Sequence, residues 1–162
     1  IAIDSGYAPA YNERALSRKK IGDYKGAIAD YNKAIMIDPN NADTYYNRGT
    51  TKVRNLKDYQ GAINDFNKAI AINPKDADAY TNRGIAKKNL KDYQGAIADY
   101  NKALTINPLN SRAYSNRGLT KGIGFNDEKG ACSDFKKAAS LGNEYRTNWL
   151  SSEGGAWCRN MR

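Results

Sequence analysis

Arginine recurs at Arg14, Arg48, Arg83 and Arg117, and aspartate at Asp30, Asp65, Asp99 and Asp134. A guanidinium and a carboxylate repeated together can do two kinds of chemistry. They can pair with each other, because the planar fork of Arg fits both oxygens of a carboxylate. Alternatively, the arginine row can hold an anionic ligand. The structural ion pair is the expected use, since removing one partner of a mostly buried pair strands the other. A further row, Asn47, Asn82 and Asn116, carries amides that both donate and accept, which suits the backbone of an extended peptide. The other reading is that these amides bond only within their own stack. One position of the row is held by Glu13 instead.

Catalytic chemistry finds little to work with. The 162 residues contain no His, which removes the usual general base near neutral pH and the commonest metal ligand. No phosphate-cradling GxxxxGK motif occurs, and no pair of carboxylates stands apart from the repeated ones. Two cysteines alone cannot make a structural zinc site. No enzyme activity, cofactor or metal is therefore expected. Cys132 and Cys158 leave two readings open: a bridge that staples the C-terminal end, implying an oxidising compartment, or two free thiols, which would fit the cytoplasm.

The net charge of +9, from 26 basic and 17 acidic residues, favours anionic partners. Much of it comes from two more rows: Arg18, Lys52, Lys87 and Lys121, and Lys33, Lys68, Lys102 and Lys137. Both are expected to be solvated faces whose aliphatic stems cover apolar neighbours. A nucleic-acid surface is the sharper alternative. Against it, most Tyr and Phe residues occupy repeated, core-like positions and are not free to stack on bases. No apolar run approaches the length of a membrane-spanning helix.

The elements that position these residues are repeats. KDYQGAI stands at 57–63 and again at 91–97, with GDYKGAI at 22–28 and NDEKGAC at 126–132. Aligned on these segments and on the NRG triplets, four units emerge: 8–41, 42–76, 77–110 and 111–145. Two units are one residue longer, with the extra residue between NRG and DY. Each unit reads as two helices. The first opens after Asn41, Asp76 or Asn110, and the second at Asp23, Asp58, Asp92 and Asp127, all short polar caps. Pro39, Pro74 and Pro108 stop the second helix. Residues 1–7 read as the end of a preceding repeat, because Ile1, Ala2, Ile3 and Asp4 align with Ile35, Met36, Ile37 and Asp38. Residues 146–162 read as a C-terminal capping helix and tail. The helix is expected over roughly 144–152, with Trp149 at a first-aromatic position, Leu150 beside it, and Gly154 and Gly155 ending it.

This pattern resembles the tetratricopeptide repeat (TPR) family. In the third unit Tyr80, Gly84, Ala96, Tyr100, Ala103 and Pro108 fall at the family's positions, and the other units follow in register. The resemblance implies an all-α fold, a right-handed α-solenoid of stacked antiparallel helix pairs (a TPR superhelix). It also implies a non-catalytic protein–protein interaction module, of assembly or scaffold type, that binds a protein or peptide in a groove lined by the first helices. Transferred residue by residue, the groove comprises Asn12, Asp43, Tyr46, Asn47, Thr50 and Arg54. It continues with Asp78, Thr81, Asn82, Ile85 and Lys88, then Arg112, Ser115, Asn116 and Leu119. The family's clamp for chaperone tails is not implied, since only its middle Asn is matched. Homo-oligomerisation without a peptide ligand is the alternative.

Overall fold

A computed structural model describes residues 7–161. The expected end of a preceding repeat falls almost entirely on residues 1–6, outside the described residues. Four helix hairpins follow one another: α1 (Ala8–Lys20) with α2 (Tyr24–Ile37), α3 (Ala42–Thr51) with α4 (Tyr59–Ile72), α5 (Ala77–Asn89) with α6 (Tyr93–Ile106), and α7 (Ser111–Phe125) with α8 (Glu128–Ser140). Two short helices, α9 (Glu144–Ser151) and α10 (Ala156–Arg159), close the chain. No strand occurs among the described residues. The chain divides into two compact units, Ile1–Lys75 and Asp76–Arg162.

Local chemistry sets the helix starts. Asp23, Asp58, Asp92 and Asp127 each accept from the backbone N–H of the glycine three residues on, satisfying a donor that has no partner within the helix. Asn41, Asp76 and Asn110 do the same for first helices. The turns between paired helices explain the two repeat lengths. In α1/α2 and α5/α6, the N–H of Asp23 or Asp92 returns to the carbonyl of Arg18 or Lys87. In α3/α4 and α7/α8, Asp58 and Asp127 return one residue further back, to Lys52 and Lys121. The extra residue is absorbed differently in the two places. After α3 it widens the last turn into a π-type segment over Lys52–Leu56, whereas α7 remains α-helical to Phe125. Lys57 and Asn126 then take left-handed conformations at φ 54° and 53°.

Each hairpin closes on small residues opposed by an aromatic ring. In the first unit Ala15, Ala27 and Tyr31 form one fully buried cluster with Ile28 against it. In the second, a Cβ added at Gly84 would lie 2.6 Å from the Tyr100 ring. Only glycine lets α5 and α6 approach so closely at that crossing. Burying a ring such as Phe66 or Tyr100 contributes about 2 kcal/mol.

At the C-terminal end Gly154 and Gly155 follow α9. A 3-10 turn over Glu153–Gly155 leads directly into α10. The backbone folds so tightly that a Cβ on Gly155 would meet the carbonyl of Trp149 at 2.4 Å. Arg159 donates to the carbonyls of Leu150 and Ser152, and Lys136 to that of Met161 at 2.9 Å. Cys158 is thereby fully buried and bridged to Cys132 of α8, with Cα atoms 5.3 Å apart. Phe135, Trp149 and Trp157 stack edge to face at 5.0 and 6.0 Å. Trp149 is also not the counterpart of Tyr114. Counted from the capping residues, Tyr114 is the fourth residue of its helix and Trp149 the sixth.

Candidate interaction face

Two faces of the first helices carry charge. One faces into the hairpin. There Arg14, Arg48, Arg83 and Arg117 each grip Asp30, Asp65, Asp99 and Asp134 through Nη2 at 2.5–2.6 Å, with Nε on the same carboxylate. Hydrogen bonding to Asp30 and Asp134 holds the Arg14 and Arg117 guanidinium groups above their ordinary range, against the opposing effect of burial. Each arginine also lies over a tyrosine of its own helix, Tyr11, Tyr45, Tyr80 or Tyr114, at 5.3–5.6 Å. Arg48 and Arg117 reach Asn32 and Asn101 of the preceding hairpin at 2.6 and 2.7 Å, which ties neighbouring repeats within a unit.

The row Arg18, Lys52, Lys87 and Lys121 corrects the expectation of a solvated face. Each supplies a second cation to the same buried Asp, at 2.9–3.0 Å. A carboxylate has enough acceptor sites for both cations, and a lone buried carboxylate beneath one arginine would be less well satisfied. In the first hairpin Arg18 also pairs with Asp23, at 3.6 Å.

The other face lies between successive first helices. In the second unit α5, α7 and α9 stand side by side, joined by polar contacts. The cap residue Asn110 reaches back from α7 to Asp78 and Thr81 of α5, at 3.3 and 3.4 Å. Arg112 donates to Asn82, and Lys88 to Asn116 at 3.4 Å. Asn116 in turn donates to the carbonyl of Arg112 at 2.9 Å. The amides of Asn82 and Asn116 therefore already serve the stack, and Asn82 is buried. Thr81 is fully covered with its hydroxyl on the Ala77 carbonyl, and Ser115 is buried beneath Arg146. Neither offers a ligand contact here, because the next first helix closes over them. Ile85, Lys88, Arg112, Asn116 and Leu119 remain partly open.

In the first unit Asp43 and Arg54 are exposed, and Asn12, Tyr46 and Asn47 half-buried. Thr50 is buried and bonded to the Tyr46 carbonyl, so it also offers no ligand contact. The Tyr46 ring packs 6.1 Å from Phe66. Burial, and then the nearby Arg54, lower the pKa of Lys19. The sequence reading missed Arg146 of α9, which is 2% exposed. Aligning Asn143 with the caps Asn41, Asp76 and Asn110 would have found it, because it then replaces a small residue.

No helix among the described residues is long and apolar enough to cross a membrane, and no cluster of His, Cys, Asp and Glu there could hold a metal ion.

The comparisons agree with this architecture. Models of the TPR repeat match residues 17–55 and 53–91, and a model of the tetratricopeptide repeat matches 77–110. Among solved structures, MamA is 28% identical with a TM-score of 0.79, covering 89% of this chain and 83% of that one. The first TPR of Spaghetti (RPAP3), bound to the HSP90 peptide SRMEEVD, is 32% identical with a TM-score of 0.70, covering 76% and 97%. The second TPR domain of human RPAP3, in complex with the HSP70 peptide SGPTIEEVD, is 27% identical with a TM-score of 0.68, covering 70% and 94%.

Proposed function

Since the chain belongs to the tetratricopeptide repeat family, we propose that it is a non-catalytic module holding a protein or peptide partner against its first helices, in an assembly or scaffold role. The observation that carries this reading is the side-by-side row α5, α7 and α9, whose partly open residues mix apolar Ile85 and Leu119 with polar Lys88, Arg112 and Asn116. Such a surface can pack against side chains and still bond to backbone. Structural neighbours that carry peptides support the reading. Fold alone stops at binding and does not select the partner.

Capture from a lysate on the immobilised full chain, followed by mass spectrometry, tests the proposal. A partner should be retained by the wild type and lost at least in large part by an Asn116→Ala, Leu119→Ala double variant. Equal retention by both proteins would overturn the assignment of the face.

One observation favours homo-oligomerisation as a second reading. The end of α2 exposes Met36 at 83% and Ile37 beside it, and a hollow there is lined by Tyr11 and Lys33. Light scattering that shows mass rising with concentration, abolished by Met36→Lys, would favour that reading.

A further inference from the structure

The second helix of the last hairpin departs from its counterparts. Ile28, Ile63 and Ile97 give way to Cys132, and Asn32, Asn67 and Asn101 to Lys136. Asn32 and Asn101 accept from arginines of the following hairpin. No hairpin follows α8 among the described residues, and Lys136 donates instead to the carbonyl of Met161 at 2.9 Å. Lys129, Cys132, Ser133 and Lys136 share one face of α8, because residues three and four apart are neighbours on a helix. With Met161 they line a hollow of about 300 Å³. Lys129, Ser133 and Lys136 are exposed around it, and Met161 is half-buried. Among the described residues neither Lys129 nor Lys136 makes an ion pair. Cys132, bridged to Cys158, is therefore the inner member of a hollow that two uncompensated ammonium groups flank.

We infer that this hollow is a modification site, at which Cys132 exchanges its bridge for a mixed disulfide with a small acidic thiol, one that carries carboxylates beside its sulfur. The ammonium groups of Lys129 and Lys136 draw in the carboxylates and the attacking thiolate together. Cys132 is 2% exposed and Cys158 fully covered, so the attack falls on Cys132, from the hollow, once the exposed Lys136–Met161 contact moves aside. The thiolate bonds to Cys132 Sγ, and the bond between Cys132 and Cys158 breaks. The Cys158 sulfur leaves with the electron pair and takes a proton from water. The incoming sulfur is oxidised and that of Cys158 reduced, so no other oxidant or reductant is consumed. The product frees α10, a single turn, to lift away with Trp157. This site is separate from the first-helix face and does not rest on the binding reading.

The test exposes the oxidised full chain to glutathione, which carries two carboxylates, and in parallel to the cationic thiol cysteamine. Rates are compared at equal thiolate concentration and low ionic strength. The reaction is stopped with N-ethylmaleimide, which caps the released Cys158, and intact mass and peptide mapping locate the adduct. Glutathione should react about tenfold faster than cysteamine, the scale of electrostatic steering into a charged cleft, and its adduct should sit on Cys132. A Lys129→Gln, Lys136→Gln double variant should lose that preference while keeping the bridge. Lys137→Gln, which removes a charge from outside the hollow, should keep it. Four outcomes would each overturn the assignment: no adduct on the folded protein, an adduct on Cys158, equal rates for the two thiols, or a preference that survives in the double variant. Loss of the preference in Lys137→Gln would overturn it as well, since the net charge of the chain and not the hollow would then be the cause.

Discussion

Lys87 and Lys88 are chain neighbours on α5, yet they meet opposite electrostatic surroundings. Lys87 turns into the hairpin, where it shares the buried Asp99 with Arg83 at 2.9 Å. Lys88 turns toward α7 and α9, where it meets neutral Asn116 and the cation of Arg146. One residue along a helix rotates the side chain by about 100°, which is enough to pass from one interface to the other. The hairpin interior answers Lys87 with a carboxylate, and the surroundings of Lys88 do not. A compensated charge fixes the crossing of two helices. Arg146 is instead met by Ser115 and by the rings of Phe135, Tyr145 and Trp149. In the first unit Lys19 also faces a cation, but Arg54 there is exposed and can turn to water.

The largest effect is expected at the carboxylate that two cations share. Asp99→Ala would strand both Arg83 and Lys87, so a loss of about 3–5 kcal/mol is expected in urea denaturation. A loss below about 1 kcal/mol would mean that the hairpin interior is better hydrated than its geometry implies. Next in size is the bridge between α8 and α10. Replacing Cys132 and Cys158 together by Ser opens a loop of 26 residues and should cost about 3 kcal/mol. Trp149 and Trp157 fluorescence should report loosening of the cap before the hairpins melt. If both melt together, the cap and α8 are one cooperative unit.

Alkali acts on the hairpin side. Burial raises the Tyr100 phenol well above its ordinary value and Tyr31 in the same direction, with Thr120 and Thr51 opposing. The folded state thus favours the protonated phenol, and the stability this provides is complete below the unfolded value of 10.0. It is lost as pH rises above that value, so unfolding and phenolate absorbance should appear together. Tyr100→Phe should move that midpoint upward. The smallest effects belong to the uncompensated side. Arg146→Leu should be neutral or stabilising by about 1 kcal/mol, since the buried cation it removes has no carboxylate partner. Lys19→Gln should stay within about 0.5 kcal/mol, because its neighbour Arg54 is exposed. A large loss on Arg146→Leu would mean that its contact with Phe135 outweighs the buried charge.

Much of the fold was legible because its signals are local. Asp92 three residues before Gly95, Pro108 after α6, and the small Gly84 set against Tyr100 recur at fixed spacing and speak for helix ends and crossings. The site was less legible. Asn82 and Thr81 align with open positions in sequence, yet the following helix covers them. The partner of Lys87 lies on another helix, so nothing beside it in the chain distinguishes it from solvated Lys33 or Lys68. Arg146 stands in no repeated row, so its type alone carries no sign of its burial.

The sequence by itself determined that helices form, where they start and stop, and that they pair in repeats, because caps, prolines and 34–35-residue spacing act through the nearest turn of chain. Only the tertiary structure decided which cations are answered by a carboxylate and which are not. Desolvation depends on what a distant helix lays over a side chain, and a residue's type carries no record of that cover.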